Sequence, residues 1–474
     1  MNQTENSKLK YLTLAILPLA LSACVLAPPA KVAMPAPSQW HAPLPHNGSL
    51  LEMSGWWRQH GDPLLAQLID SAQAASPTIA QAGSRIADAR ARRAAAGAAL
   101  LPSLDLGVSS SRSNQQSTLP AGTVSQAGLQ SAWEIDLFGA RRADRDAAQA
   151  RLAGAAATWH EARVAVAAEV ANQYYNLRTC EQLLAVAKQD VASRADTARL
   201  TQLTTDAGFT APATAALARA SAADARSRAT LQKALCDIDV KTLVALSAID
   251  EPALRTRLAA TRAVPTPAIG LPLLPAQVLA QRPDVFAAEQ EVAAASADVG
   301  SALADRYPRL SLSGAIGIGH FRGSGESAKT DTWTIGPLAL SLPIFDAGRR
   351  SANAEAARVR YDSAVVIYRA SARRAVSEVE QALVLLTSSD SRGTDAQTAL
   401  DGYRAAFVAA EDRYKNGLGS LLELEDARRT RLAAENAVVT LQRDRSNAWV
   451  ALYRAAGGGW TLSANSLPPK TILN

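Results

Sequence analysis

Three cysteines, five histidines and a leucine–aspartate pair are the residues of this 474-residue chain whose type and spacing bear on chemistry. Cys24 closes the run Leu21-Ser22-Ala23-Cys24, which follows Lys8, Lys10 and an apolar stretch over 11–21. A basic region, a short apolar region and small residues before a cysteine make 1–23 a secretory signal, too short to span a membrane. Its end reads as a lipobox, in which Cys24 is lipidated and becomes the first residue after cleavage. Each acyl CH₂ buried in the bilayer adds about 0.8 kcal/mol. Val25, where an aspartate would hold the chain back, is compatible with delivery to the outer membrane. Cys180 and Cys236 are equidistant from Gly208, the glycine of a helical turn. Antiparallel arms would set them side by side, close enough for a disulfide, and an oxidising periplasm permits one. Two buried free thiols are the other reading.

The remaining candidates point away from catalysis. His41, His46, His60, His160 and His320 show no metal-ligand spacing. There is no G-x-S-x-G, no P-loop and no dinucleotide-binding glycine pattern. Glu378 and Glu380 lie on a long helix, where a solvated or interhelix role outweighs acid–base work. No enzyme activity, cofactor, metal or catalytic residue is expected. Leu422 and Asp426 are one helical turn apart and face the same way. Taken alone, Asp426 reads as a cap or as a surface partner of Arg428 or Arg429.

The elements that must position these residues recur along the chain. Residues 304–350 read ADRYPRLSLSGAIGIGH, a Gly/Ser-rich link FRGSGESAKT, then WTIGPLALSLPIFDAGRR. Leu310, Leu312, Ile316 and Ile318 alternate with Ser311, Ser313, Ala315 and Gly317, a period of 2 with small residues on the second face. The same order begins at Leu101. Pro102 answers to Pro308, Leu104 to Leu310, Phe138 to Phe345 and Arg141-Arg142 to Arg349-Arg350, with an offset drifting only from 206 to 208. Gly208 and Gly417 continue the match, so one supersecondary unit is used twice. The expected boundaries follow: signal 1–23; extended, proline-rich leader 24–50; first repeat 51–250, with strands near 102–113 and 127–138 and a helical hairpin near 140–248; proline-rich linker 251–276; second repeat 277–456, with strands near 308–320 and 332–345 and a hairpin near 348–456; tail 457–474.

Asp62-Pro63 should open a helix, with Asp62 as its N-cap. The first long helix keeps Val166, Val170, Tyr174, Leu177 and Leu184 on one seam and would be roughly 90 Å long, which calls for a coiled-coil hairpin or a helical barrel. Asp390, Ser391 and Gly393 suggest a break in its counterpart. Net charge is +6, but acids and bases are interspersed, which excludes a nucleic-acid-binding stripe.

The strands carry the functional implication. Four segments of about 10 residues each suffice for tilted strands to cross a bilayer. Four strands cannot close a barrel, and open edges are not tolerated in lipid. Two copies would give a barrel filled by side chains, whereas three give 12 strands and a lumen. The small-residue face then looks inward and the Leu/Ile face meets lipid. Trp133 and Trp333 suit either an aromatic belt or core packing. Gly336-Pro337 shifts the alternation and reads as a bulge or as the exit from the barrel.

The LSAC motif, GWWRQHGDPLLAQLI, RPDVFAAEQEV, YPRLSLSG and LPIFDAGRRSANAEAARVRY together resemble the TolC-like outer-membrane efflux lipoproteins of NodT type, in order and over essentially the whole chain. The resemblance implies an α+β membrane protein: a trimeric 12-stranded β-barrel, four strands per chain, continued by a long periplasmic α-helical barrel with an equatorial domain. It implies a passive exit duct in the cell outer membrane, anchored at Cys24, for small toxic compounds or drugs. The implied partners are two further copies of the chain, a periplasmic adaptor (membrane fusion) protein, an inner-membrane resistance-nodulation-division pump and outer-membrane lipid. The family's periplasmic gate is marked by Arg-Tyr, a short spacer and Gly, then Leu-x-x-x-Asp-Ala. Here it reads Arg413-Tyr414-Lys415-Asn416-Gly417, then Leu422 to Ala427 with Asp426. In a trimer, Leu422 and Asp426 would each form a ring of three that narrows and charges the pore. Glu425 departs from the family, which often has an apolar residue there. A type I protein-secretion duct and a non-conducting periplasmic coiled-coil scaffold are the alternatives; the lipobox and the matched blocks favour efflux, and the paired strands oppose a scaffold.

Overall fold

A computed structural model describes residues 32–33, 36–37, 40–41, 57, 62–113, 121–260, 275–323 and 326–460. The secretory signal, Cys24, His46 and His60 lie outside the described residues. The elements in chain order are α1 (Pro63–Ala75), α2 (Pro77–Ala98), β1 (Ser103–Ser113), β2 (Gly122–Ile135), α3 (Ala140–Asp206), α4 (Pro212–Ser247), α5 (Glu251–Ala260), α6 (Pro275–Ala280), α7 (Pro283–Ala304), β3 (Arg309–Gly323), β4 (Glu326–Ser341), α8 (Arg349–Lys415) and α9 (Leu421–Ala455). The order helix, strand, strand, long helix, shorter helix occurs twice. Its long helices are 67 residues each, and the shorter ones are 36 and 35.

The chain divides into two units. One comprises the described residues of Gly83–Ala157 and Phe286–Ala370 and contains the sheet. The strands are antiparallel in the order β1-β2-β3-β4, and among the described residues β1 and β4 each have one strand neighbour. Paired residues share a face, so the register assigns each side chain. One face carries Leu104, Leu106 and Val108 of β1, Leu129 of β2, Ile316 and Ile318 of β3, and Trp333 and Ile335 of β4. Val108, Ile316, Ile318, Trp333 and Ile335 are 63–85% exposed. The opposite face carries Ser109, Gln130, Ala315 and Thr334, and a row Gly107–Gly128–Gly317. A methyl on Gly317 would approach the Ala127 carbonyl to 2.8 Å, so this position fits only glycine without a shift of the backbone.

Ile335 pairs with Gly314, but Leu338 pairs with Leu312, so Gly336 and Pro337 stand against the single residue Ser313. This bulge keeps Leu338 and Leu340 on the same face as Trp333 and Ile335 although the residue parity has changed. Trp133 donates its indole N–H to the Leu100 carbonyl at 3.0 Å and is half-buried, whereas Trp333 stands in the middle of the apolar face.

Several expected boundaries move. The Gly/Ser-rich link is not a ten-residue loop: β3 runs to Gly323 and β4 starts at Glu326, with Phe321 opposite Ala328 and Arg322 opposite Ser327. The strand continues here with polar residues, which an apolar alternation test cannot follow. β2 likewise begins at Gly122 rather than 127. It ends at Ile135 because Asp136 accepts the N–H groups of Arg141 and Arg142, at 3.1 and 2.9 Å, and so starts α3. β4 ends at Ser341, short of 345, and Asp346 receives the Arg350 N–H at 3.3 Å and pairs with its guanidinium at 3.0 Å.

The second unit comprises the described residues of Pro35–Ala82, Thr158–Val285 and Ser371–Asn474 and holds one apolar cluster. Asp62 caps α1, accepting the Leu64 N–H at 2.8 Å, and Leu65 and Leu68 of α1 are fully buried with Val170, Tyr174 and Leu177 of α3. Tyr174 donates its hydroxyl hydrogen to Asp62 and accepts from Arg178 Nε at 3.1 Å, which fixes α1 on α3. The expected linker 251–276 is not free of structure. Its first ten residues form α5, whose Leu254 and Leu258 enter the core at i, i+4, and its end starts α6. α8 shows no break at Asp390, Ser391 or Gly393. Ser391 returns its hydroxyl to the Thr387 carbonyl at 3.1 Å, and Asp390 pairs with Arg445 of α9 at 3.0 Å, so both polar groups are satisfied without a break in the helix. One interior glycine costs about 1 kcal/mol, too little to interrupt a helix of this length. Trp460 folds back and is buried.

Candidate gate at the hairpin turns

The two helical hairpins close by the same backbone device. Gly208 and Gly417 take positive φ, +80° and +73°. Beyond each, an N–H reaches back over the last helical turn, Phe209 to the Thr204 carbonyl and Leu418 to the Arg413 carbonyl, both at 2.8 Å. This is a Schellman closure, which wants a left-handed residue just past the helix. No described atom lies within 4 Å of where a Cβ would stand, so conformation and not crowding selects glycine. The outgoing helices start differently. α4 begins with Pro212 after Ala211, which makes no side-chain cap. α9 begins with a capping box: Ser420 accepts the Glu423 N–H and Glu423 accepts the Ser420 N–H, each at 3.2 Å.

The residues singled out by sequence divide into two groups here. Arg413 approaches Glu423 across the turn at 3.5 Å, and the Tyr414 hydroxyl lies 2.6 Å from Thr201 Oγ1 on α3. Leu422 is 74% exposed, and Asp426 shares its outward strip with its side chain 63% exposed. Asp426 accepts from Arg429 at 2.6 Å, the surface pairing anticipated as an alternative. Both members are exposed, and such pairs contribute about 0–1 kcal/mol.

Behind that strip lies a set of residues that sequence reasoning did not assemble. The Arg428 side chain is fully buried. Its guanidinium pairs with Glu425 at 2.5 Å and donates to Thr197 at 2.9 Å and Ser193 at 3.1 Å on α3. Glu425 also pairs with Arg194, which pairs with Asp190 at 2.9 Å, and Arg228 of α4 approaches Asp190 at 3.5 Å. Arg431 stacks over the Phe407 ring of α8, 3.9 Å from its centroid. Three helices, α3, α4 and α9, therefore meet in one largely buried ionic network, with the Phe407 ring of α8 beside it. Burial pushes the Arg428 guanidinium below its ordinary value, against the opposing charge of Glu425. Its Nε finds no hydrogen-bond partner among the described residues. Glu425 is thus an internal acceptor for two arginines. The signal was present: Leu421, Leu424 and position 428 follow the 3-4 spacing of a buried stripe, with an arginine in a core position.

Cys180 and Cys236 are joined, with sulfurs 2.10 Å apart and Cα atoms 5.4 Å apart, inside the apolar cluster. The matched positions of the second hairpin are Ser389 and Arg445, the latter paired with Asp390. Among the described residues no group of three or more His, Cys, Asp or Glu could hold a metal ion, and no helix is long and apolar enough to cross a membrane.

A sheet with a broad exposed apolar band on one face, joined in sequence to two long helical hairpins, fits an outer-membrane channel component. The profile of the outer membrane efflux protein family matches residues 68–248 and 274–458, and the chain belongs to that family. The pyoverdine export outer membrane protein OpmQ of Pseudomonas putida is 31% identical over 461 residues, 94% of this chain and 97% of that one. Outer membrane protein OprJ of Pseudomonas aeruginosa is 30% identical over 468 residues, 94% and 95% of the two chains. The structure of the outer-membrane channel OprN superposes with a TM-score of 0.83 at 29% identity, covering 92% of this chain and 100% of that one. The protein is the outer-membrane component of an efflux system.

Proposed function

We propose that three copies close their sheets, β1 of one against β4 of the next, into a 12-stranded barrel, and that the helical hairpins line a periplasmic tunnel with an equatorial domain between. The observation that carries this reading is the apolar band crossing four strands whose two outer edges have no strand partner among the described residues. In lipid those edges require pairing, and the face requires a hydrocarbon surround. Each chain contributes two strand-pair and hairpin units, within 51–250 and 277–456. Cys24 carries the lipid anchor. The duct is passive and receives cargo from a periplasmic adaptor and an inner-membrane resistance-nodulation-division pump. Its cargo is small organic molecules, the class that includes the pyoverdine of OpmQ and the toluene of TtgI, another relative.

Leu422 and Asp426 form the gate, with Arg413 and Tyr414 holding the turn that bears them. The strip on which they lie is exposed in the single chain and apolar at its tip, which suits a three-fold ring. The Asp426–Arg429 pair is weak enough to yield to such a ring. The test is single-channel conductance in planar bilayers. Leu422→Ala with Asp426→Ala raises conductance over the wild-type channel; an unchanged value removes the gate assignment, and a wild-type protein that never conducts removes the channel itself.

A further inference from the structure

The apolar face of the sheet does not continue to the strand ends. From Leu310 to Ile318 it spans about 27 Å along β3. In the next two rows on the same face the register lists Ser110, Ser125, His320 and Lys329, then Arg112, Thr123, Arg322 and Ser327. Three permanent cations thus share two adjacent rows at the end nearest the β1–β2 and β3–β4 turns. Arg112 and Arg322 are two strands apart in one row, about 10 Å. Arg322 and Lys329 are diagonal neighbours on adjacent strands, about 7–8 Å apart. All three are exposed, and none forms an ion pair among the described residues. His320 is engaged with Ser327 at 2.8 Å. Asp331, opposite Ile318 in the last row of the apolar band, is the lone acid on this face of the strands.

We propose that Arg112, Arg322 and Lys329 form a binding surface for the phosphate groups of a membrane glycolipid whose acyl chains lie against the Leu/Ile band below. This rests on the barrel reading above, since only then does this face meet lipid. The two chemistries on the face match the two halves of such a molecule. The band accepts hydrocarbon chains, and the cations one to two rows beyond it stand at headgroup height. Arginine presents a planar fork to phosphate oxygens and lysine a point charge, so one diphosphorylated headgroup can take contacts from two strands at once. Without such a ligand, three like charges within about 10 Å would repel, and serine, threonine or glutamine would serve a solvated rim equally well.

The test uses the full-length trimer in lipid nanodiscs, with bound lipid counted by native mass spectrometry. The probes are diphosphorylated lipid A and its dephosphorylated form. The wild type retains the diphosphorylated lipid in preference. The R112Q/R322Q/K329Q variant loses that preference, with affinity down roughly tenfold or more. Asp331→Asn raises affinity, because it removes the opposing charge. Equal retention by wild type and triple variant, or equal retention of the two lipids by the wild type, overturns the inference. Should the triple variant fail to assemble, Asp331→Asn decides alone, and an unchanged affinity overturns it. Conductance measured on the same wild-type sample separates the two levels: a conducting channel with no lipid preference sinks this inference only, and a sample that never conducts sinks the barrel reading with it.

Discussion

The two helical hairpins share their lengths and their turn geometry, yet their arms are held together by different forces. In the first, α3 and α4 are joined by the Cys180–Cys236 bond, and α4 buries a small-residue stripe of Ala215, Ala218, Ala222 and Ala225. In the second, the matched positions carry Ser389 and an Arg445–Asp390 ion pair, and α9 is tied by Arg428 and Glu425 to residues of α3. A disulfide closing a 56-residue separation lowers the entropy of the unfolded chain by the equivalent of about 4 kcal/mol. It also prevents its two arms from separating. Ion pairs can break and re-form. The hairpin that bears Leu422 and Asp426 is therefore the one with reversible ties, and the first hairpin is the fixed frame against which it can move.

The largest effect that would sharpen this contrast is at Arg428. Arg428→Ala leaves Glu425, Thr197 and Ser193 short of their buried partner, and breaking a buried pair costs about 3–5 kcal/mol. Thermal melting in detergent should fall accordingly, and proteolysis should open the second hairpin before the first. Cleavage first at 206–212 would reverse the roles assigned to the two hairpins. Next in size, Cys180→Ser with Cys236→Ser should reduce stability by about 2–4 kcal/mol while leaving single-channel conductance unchanged. Conductance rising as in the Leu422 and Asp426 variant would erase the distinction. Smallest are the turns. Gly208→Ala and Gly417→Ala should each cost about 1 kcal/mol, because both glycines hold positive φ. Ser420→Ala should cost about 1 kcal/mol with no counterpart in the first hairpin. Unequal glycine losses would show that the turns differ in more than their outgoing caps.

The apolar face of the sheet was legible because Leu310, Leu312, Ile316 and Ile318 alternate with small residues, and period 2 is a direct imprint of strand geometry. The long helices were legible from seams such as Val166, Val170 and Tyr174. The pairing of Cys180 with Cys236 followed from their symmetry about Gly208. What could not be read was set by polar residues in regular structure. The ends of β3 and β4 continue through Arg322, Ser327 and Lys329, where ladder hydrogen bonds and not apolar contacts define the strand. Asp390 and Ser391 look like a break until their partners, Arg445 and the Thr387 carbonyl, are known. Arg428 was weighed as a surface partner of Asp426. That it points the other way depends on Ser193 and Thr197 meeting it from α3, 235 and 231 positions away in sequence. For the strand ends, for Asp390 and for Arg428 the deciding partner lies on another element, so a local pattern cannot supply it.

The bulge at Gly336 and Pro337 has a consequence for how this strand can vary. Side chains along a strand alternate like a two-position switch, and one extra residue sets the switch back. Without it, Leu338 and Leu340 would turn to the polar side and Ala339 to the apolar one. The length of β4 is therefore constrained in parity and not only in extent. Insertions or deletions of two residues on the helix-proximal side preserve which surface is greasy, whereas a single one turns that end of the strand inside out.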